Sequence, residues 1–362
     1  MGVLNMKRIL YIGWLGSNNI GDELMWEVFN DLCSEYLDLS KYEIIPSNFR
    51  MNLEDTDSYD CIILGGGSLL LPGYIKILHQ FMKQGKQVLI WGCGYDWADK
   101  AYIKIIEDAK IPSYLFDDKT ETLLIDIVNN ANYIGVRGPL TYALLKSSRV
   151  NIDKVQICGD VGLLLKYKKI PSFSPILEWK GNDKIIAINW GTSDNNIYGK
   201  NESDLEDQLA CTCKTLLKQG YKIYMYVLWG GDIEPSKRLY NKIDSYSNII
   251  LDTNIYAGGE LLSILKLCSL SINLKLHANI LSTIAEIPFV CLGYRFKCFD
   301  YVKSLDLNEL IIATDSKSIE YNILKTIAYI NSNELMIQQK LASYRNLYKE
   351  RLMTPFSNCL IG

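Results

Sequence analysis

Short apolar runs alternate with amphipathic segments along almost the entire chain, and glycine or polar residues follow most of the apolar runs. This order is typical of strands alternating with helices, which build parallel sheets covered by helices. We therefore predict strands at residues 8–13, 42–46, 59–64, 87–91, 133–136 and 155–158, and again at 184–189, 221–228, 248–251, 270–276, 289–292 and 310–313. Both halves of the chain are predicted to be doubly wound α/β domains.

The chain has 362 residues, more than one compact core usually holds, so two domains are expected. The alternation is lost at 169–183, which contains two prolines and a Gly-Asn-Asp turn and is therefore the predicted linker. We predict a Rossmann-like domain at 1–168 on the acceptor side, a second at 184–333 on the donor side, and a helical tail at 334–362. Two such domains facing each other across a cleft, with a long C-terminal helix, resemble the GT-B architecture of glycosyltransferases.

Composition and charge exclude several classes of protein. The chain is 48% hydrophobic and has a net charge of −3, so no general basic field favours nucleic acid as a partner. The first residues lack the features of a signal peptide, and no apolar run reaches the roughly 18 residues that a membrane-spanning helix needs. The ten cysteines lie mostly in apolar runs and form no metal-binding spacing with histidine. We expect a cytoplasmic protein with reduced thiols and no bound metal.

The segment 270–288 carries the most informative pattern. Alternating apolar residues up to Leu276 predict a buried strand, and the apolar residues from Ala278 onward recur at helical spacing. The change of period places Lys275 and His277 at the carboxyl end of a strand and the start of a helix, where ligands bind in open α/β sheets and where anions are favoured. His277 is one of only two histidines, although a buried structural histidine is an equally valid interpretation from position alone.

Other polar residues follow predicted strands in the first half. Arg137 comes before Gly-Pro and a helix, where its guanidinium can clamp a carboxylate or phosphate, or form a surface ion pair. Asp22 and Glu23 fall in the first turn of a predicted helix and can cap it, or bind or deprotonate a sugar hydroxyl. The run Gly65–Ser68 can present backbone amides to a ligand or be only a packed turn.

Aromatic and glycine-rich segments in both halves are further candidates for ligand binding. Trp190 and Trp229 each follow a strand in the second half and can stack on a sugar or belong to the core. None of the glycine-rich turns has the G-x-G-x-x-G or G-x-x-x-x-G-K-[ST] pattern, so neither a nicotinamide cofactor nor a P-loop nucleotide is expected.

Five motifs in order resemble those of the polysaccharide pyruvyl transferase family: GWLGSNNIGDE, LGGGSLL, VRGPLT, GDVGLLL and SINLKLHANI. The resemblance implies a GT-B-like enzyme that moves the enolpyruvyl unit of phosphoenolpyruvate onto two hydroxyls of one sugar, forming a pyruvate ketal on a surface or capsular polysaccharide precursor and releasing phosphate. Carried over residue by residue, it implies that the donor is bound by Arg137, Lys275, Leu276 and His277. Two departures stand out: the triplet usually begins with arginine, and the Gly-Asp motif usually continues Pro-Ala.

Phosphoenolpyruvate needs its anionic groups neutralised and its methylene carbon protonated, so we assign catalysis to Arg137, Lys275 and His277 and expect His277 to act as an acid once the anionic donor is bound. Acceptor binding is assigned to Asn18, Gly21, Asp22, Glu23, Gly66, Gly67 and Ser68. The partners implied are phosphoenolpyruvate and a lipid-linked or soluble oligosaccharide, with peripheral contact at the inner face of the membrane as an option. This chemistry requires no cofactor and no nucleic acid.

Two other functions are compatible with the sequence. The first is a GT-B glycosyltransferase that uses a nucleotide sugar, bound in the second half around Gly258, Gly259 and Glu260, since fold alone does not separate donors. The second is a non-catalytic saccharide-binding relative. The joint presence of Arg137, Lys275 and His277 argues against the second, because a binding protein has no need of an acid.

Overall fold

The computed structural model describes residues 6–16, 19–48, 51, 53, 55–108, 110, 116–179, 181, 184–244 and 247–361. The chain forms two compact units. The first comprises Met1–Asn18, Asp22–Leu164 and Asn346–Gly362, and the second comprises Asn19–Gly21 and Leu165–Arg345.

The first unit contains a parallel sheet of six strands: β1 (Lys7–Ile12), β2 (Tyr42–Pro46), β3 (Cys61–Leu64), β4 (Gln87–Cys93), β5 (Tyr133–Val136) and β6 (Gln156–Ile157). The helices between them are α1 (Ile20–Tyr36), α2 (Pro72–Lys83), α3 (Lys100–Glu107), α4 (Asp118–Asn130) and α5 (Pro139–Ser147). The spatial order is β2-β1-β3-β4-β5-β6. The direction of winding reverses between β1 and β3. In such sheets, ligands bind beside the reversal point, at the carboxyl ends of the strands.

The second unit contains another parallel sheet of six strands: β7 (Ile185–Asn189), β8 (Lys222–Tyr226), β9 (Ile249–Asp252), β10 (Leu270–Asn273), β11 (Phe289–Gly293) and β12 (Ile311–Ala313). Its helices are α6 (Ile176–Trp179), α7 (Glu202–Lys218), α8 (Ile233–Ile243), α9 (Gly258–Leu265), α10 (Leu276–Ala285) and α11 (Phe296–Ser304). The last helix, α12 (Ile319–Ser357), belongs to this unit as far as Arg345 and to the first unit from Asn346 onward. The order β12-β11-β10-β7-β8-β9 is that of Rossmann domains, and its reversal point lies between β7 and β10.

These elements follow from local sequence. Strands such as β3, β7 and β11 are apolar at nearly every position and are buried throughout, as expected for parallel strands covered on both faces. Pro72 and Pro139 occupy the first turn of α2 and α5, where the missing N–H costs nothing. Asp117 and Asn201 cap α4 and α7 through side-chain hydrogen bonds to backbone amides.

The predicted fold class, two parallel α/β domains with a long C-terminal helix, is confirmed. The helix α11 was not predicted. The last helical segment runs from Ile319 to Ser357 and is interrupted by a kink at Asn333, where φ is −128° and ψ is 20°, values outside the helical range. The predicted linker and tail boundaries stay predictions. In the part of the chain that is described, no helix is long and apolar enough to cross a membrane.

Candidate functional site

The reversal point of the second sheet lies where β7 and β10 end side by side, with Asn189 opposite Asn273. Lys275 is the N-cap of α10, and His277 lies in the first turn of that helix. The predicted strand runs to Leu276, but β10 ends at Asn273 and α10 already begins at Leu276. A lysine, an imidazole and the amides of a helix N-terminus are thereby placed at the edge of the sheet that favours anions.

The Lys275 ammonium group is held by three partners from two other strand ends. It donates to the backbone oxygen of Thr192, which follows β7. It also lies 3.2 Å from Oδ1 of Asp232 and 5.9 Å from the ring centroid of Trp229, both of which follow β8. Because its side chain is only 19% exposed, this long and flexible residue has a defined position.

Asp232 is fully buried. Its Oδ1 accepts from the backbone amide of Thr192 at 3.1 Å, besides facing Lys275. Burial raises the pKa of Asp232, while the Lys275 ammonium and the Thr192 amide act in the opposite direction. Gly191 leaves room for this carboxylate, since a Cβ at that position would lie 2.0 Å from Oδ1.

Hydrogen bonds to buried polar groups fix the backbone of Lys275 from both sides. Its amide donates to Asn189 Oδ1 at 3.1 Å, and its carbonyl accepts from Asn279 Nδ2 at 3.1 Å. Asn279 belongs to a buried polar network that also includes Asn273, Ser271, Ser282 and Tyr226. A satisfied network of this kind makes the turn between β10 and α10 rigid.

His277 lies against the start of α1. A Cβ on Gly21 would be 1.9 Å from Nδ1 of His277, so the imidazole packs directly on the glycine backbone. The amide of Gly21 donates to Asn19 Oδ1 at 3.1 Å, and the amide of Ile20 donates to the Leu228 carbonyl at 3.1 Å. Residues 19–21 thus belong to the second unit, and the structure brings Gly21 and His277 together.

Arg137 lies in the first unit, where its side chain is 1% exposed. Its Nη1 is 3.8 Å from Oδ2 of the equally buried Asp160. Nη2 donates to Ser68 Oγ at 3.3 Å and to the Tyr95 carbonyl at 3.4 Å. Gly94 makes this position possible, because a Cβ there would be 2.4 Å from Nη2. The structure thus joins Arg137 and Ser68, and the surface ion pair considered above is replaced by a buried one.

The glycines after β3 are required by packing. A Cβ on Gly65 would lie 2.2 Å from the ring of Tyr11, and one on Gly66 would lie 2.4 Å from Sδ of Met25. Gly67 has a φ of +96°, which favours glycine. A packed turn therefore explains the run Gly65–Ser68. Acceptor binding at Gly66, Gly67 and Ser68 stays a prediction.

The two acidic residues in the first turn of α1, Asp22 and Glu23, have different surroundings. Glu23 Oε1 accepts from the Gly16 amide at 2.8 Å and so closes the loop before the helix. Asp22 faces the turn after β3, since a Cβ on Gly67 would be 3.9 Å from its Oδ1. Asn18, the remaining predicted acceptor residue, lies outside the described residues.

The two tryptophans after β7 and β8 differ in environment. Trp190 is 1% exposed and donates from Nε1 to Glu206 at 3.0 Å, which identifies it as a core residue. Trp229 is 36% exposed, and its ring faces the Lys275 ammonium. Only Trp229 therefore retains a surface on which a sugar can stack.

The glycines considered for a nucleotide begin α9. A Cβ on Gly259 would be 2.6 Å from the Lys166 carbonyl, and the Gly259 carbonyl accepts from the Lys168 amide at 3.0 Å. Residues 166–168 thus cover this helix start in the same unit. Glu260 accepts from the Ala257 amide at 3.0 Å, which caps the helix.

Two residues of these surroundings, Asp160 and Thr192, were not chosen from the sequence as site residues, whereas the sequence indicates Asp232 as a minor polar candidate after the strand at 221–228. Asp160 follows a glycine beyond a strand, which is a signal that a broader search of strand ends would have detected. Thr192 contributes mainly its backbone, which no sequence pattern reveals. Among the described residues, no group of three His, Cys, Asp or Glu side chains is placed to hold a metal ion.

Comparison with known proteins agrees with the motifs. The profile of the family described as Polysaccharide pyruvyl transferase matches residues 19–295. Comparison with curated proteins finds no match.

Solved structures with a similar fold span nearly the whole chain. S. aureus MnaA, solved with UDP, is 11% identical, with a TM-score of 0.64 over 98% of each chain. UDP-GlcNAc 2-epimerase from Neisseria meningitidis, bound to UDP-GlcNAc, is 12% identical, with a TM-score of 0.54 over 97% of this chain and 100% of that one. The glycotransferase of kitacinnamycin is 9% identical, with a TM-score of 0.55 over 98% of each chain. These similarities establish a GT-B-like fold.

Proposed function

We propose that this protein, which belongs to the polysaccharide pyruvyl transferase family, transfers the enolpyruvyl unit of phosphoenolpyruvate to a sugar of a surface or capsular polysaccharide precursor. The product is a pyruvate ketal, and phosphate is released. One observation carries the proposal. A positioned lysine ammonium and an imidazole occupy the N-cap and first turn of α10, at the reversal point of the second sheet.

Phosphoenolpyruvate presents a phosphate and a carboxylate, and the start of α10 suits such an anion. Lys275 offers a cation, and the N-terminus of the helix adds the positive end of its dipole. The fixed backbone of Lys275 means that little reorganisation is needed when the ligand binds. We assign donor binding to Lys275, Leu276 and His277.

His277 is the proposed general acid. It delivers a proton to the methylene carbon of phosphoenolpyruvate, so that positive charge develops at C2 as a sugar hydroxyl adds there. A second hydroxyl of the same sugar then attacks C2, the C–O bond to phosphate breaks, and the ketal closes. General acid catalysis of this kind contributes about 10²–10⁴-fold in rate. Packing on Gly21 holds the imidazole in one place for this transfer.

The roles of the remaining residues are proposed on the family resemblance. Arg137 is assigned to donor binding, which would require its guanidinium to exchange its present contacts with Asp160 and Ser68 for the ligand. Either Asp22 or Glu23 is the candidate base that takes the proton of the attacking sugar hydroxyl. The acceptor is proposed to be a lipid-linked or soluble oligosaccharide, met in the cytoplasm or at the inner face of the membrane.

The decisive experiment incubates the purified protein with phosphoenolpyruvate and candidate oligosaccharides. We expect phosphate release together with an acceptor mass gain of one pyruvate less one water. His277→Ala should lose both while still binding phosphoenolpyruvate, and Lys275→Ala should bind it more weakly. His79→Ala is the matched control, since that second histidine pairs with Asp126 at 2.9 Å and has no proposed role.

A parallel arm of the experiment uses UDP sugars in place of phosphoenolpyruvate. Glycosyl transfer from a UDP sugar, without pyruvyl transfer from phosphoenolpyruvate, would overturn the proposal in favour of a glycosyltransferase. Near wild-type turnover in His277→Ala would show that His277 is not the general acid.

A further inference from the structure

We propose that Asp232 is a positioning residue that holds the Lys275 ammonium at the start of α10. It acts through Lys275 and does not touch the substrate. The inference extends the proposed function, because it concerns the cation assigned there to the anionic donor.

The contact crosses the reversal point of the sheet. Lys275 follows β10, and its ammonium passes over the end of β7 to reach Asp232, which follows β8. A lysine side chain that is not held loses about 1.5–2 kcal/mol of rotamer entropy each time it is ordered by a ligand. Asp232 and the Thr192 carbonyl impose this order before the ligand arrives.

Fold stability alone does not explain this carboxylate. Asp232 is fully buried, and its Oδ2 has no hydrogen-bond partner among the described residues. Burying a charge that is only partly hydrogen-bonded destabilises a protein, and its raised pKa reflects that cost. Because Asp232 is costly to bury and lies 3.2 Å from the Lys275 ammonium, its effect on the position of that ammonium explains its presence.

The carboxylate also sets the net charge at the start of α10. Beside Asp232, the ammonium of Lys275 is largely neutralised, so the pair attracts anions less strongly than an isolated lysine would. Replacing Asp232 by Asn removes this negative charge and also loosens the lysine. We therefore expect anions to bind as tightly or more tightly, while turnover falls because the cation no longer lies where charge develops.

Two glycines allow the position of the carboxylate to be tested without removing it. A Cβ on Gly191 would be 2.0 Å from Oδ1 of Asp232, so Gly191→Ala must displace the carboxylate. Gly230 lies two residues before Asp232, and a Cβ there would meet nothing within 4 Å. Gly230→Ala is therefore the matched control in the same surroundings.

The first measurement does not depend on the reaction. Lysines of the folded protein are acylated with an N-hydroxysuccinimide ester, and peptide mass spectrometry gives the rate at Lys275 relative to the exposed Lys237. We expect Lys275 to react at least about fivefold faster in Asp232→Asn and Gly191→Ala than in the wild type, because an ammonium that is not held against Asp232 is more accessible to the reagent. Gly230→Ala should match the wild type. An unchanged rate in both test variants overturns the inference.

The second measurement uses phosphoenolpyruvate and an acceptor that the wild type turns over. In both test variants kcat should fall at least tenfold. In Asp232→Asn, which has lost the negative charge, KM for phosphoenolpyruvate should be unchanged or lower. A rise in KM with kcat unchanged overturns the inference. If the wild type shows no pyruvyl transfer, the proposed function fails, and the acylation rates still decide the role of Asp232. If Asp232→Asn does not fold, Gly191→Ala decides both measurements.

Discussion

Gly21 lies so close to the imidazole of His277 that a Cβ on the glycine would be 1.9 Å from Nδ1. The contact joins residues that are far apart in the sequence, and it gives the proposed acid a rigid support of backbone atoms. Any side chain at position 21 must move either the imidazole or the start of α1.

Gly21→Ala should therefore lower turnover without removing a catalytic group. A displacement of about 1 Å in a reacting group costs about 10²-fold in rate, so we expect a loss of that order in kcat/KM for phosphoenolpyruvate. The control is Gly73→Ala, which also lies in the second position of a helix but has nothing within 4 Å of its Cβ. Equal activity of the two variants would contradict a role for the contact.

Arg137→Ala should reduce stability as well as activity. The substitution leaves the buried Asp160 carboxylate without its cation, and breaking a buried pair in this way costs about 3–5 kcal/mol. Arg238→Ala provides the comparison, since that arginine is 58% exposed and its loss should cost under about 1 kcal/mol. Urea denaturation measures both free energies of unfolding. A cost for Arg137→Ala as small as that for Arg238→Ala would show that Asp160 is satisfied without Arg137.

Asp232 should make stability depend on pH. Its pKa is raised in the folded protein, so the folded state holds this proton more firmly than the unfolded state does. Its contribution to stability is fully present below the unfolded value of 3.8 and is lost as pH rises through the folded pKa. Relative to Asp232→Asn, which does not titrate there, the wild type should therefore lose stability from about pH 4 upward, by at most about 1.4 kcal/mol per pH unit.

The measurement compares the free energies of unfolding of the two proteins in urea at a series of pH values. A wild type that instead gains stability over the variant in this range would mean that Lys275 outweighs burial and lowers the pKa of Asp232.

The two tryptophans should respond differently to truncation. Trp190→Ala removes a buried ring and leaves Glu206 without one donor, so we expect a loss of about 3–5 kcal/mol in the free energy of unfolding. Trp229→Ala should lower the free energy of unfolding by about 1 kcal/mol or less. The ring is 36% exposed, and the Lys275 ammonium lies as far as 5.9 Å from its centroid. If Trp229 stacks on the acceptor, its truncation should raise KM for the oligosaccharide and leave KM for phosphoenolpyruvate unchanged. Denaturation midpoints and acceptor kinetics test these two statements.

The sequence by itself determined the class of fold and the elements on which the proposed residues lie. Burial on both faces makes the strands continuously apolar, and helices bury one face, so the two periods are visible without a structure. The change of period near His277 placed Lys275 and His277 on the correct side of a strand end. The order of five short motifs was sufficient to indicate the family that the profile match over residues 19–295 confirms.

Only the tertiary structure decided which strand ends are neighbours and which side chains meet there. Asp232 reaches Lys275 because β8, β7 and β10 are adjacent in a sheet whose order differs from the order of the chain. Gly21 reaches His277, and Arg137 turns inward to Asp160, for reasons of packing that no local pattern encodes. Periodicity reflects the conformation and burial of each segment. Contacts between distant segments depend on sheet order and on rotamers selected by neighbours, which exist only once the chain has folded.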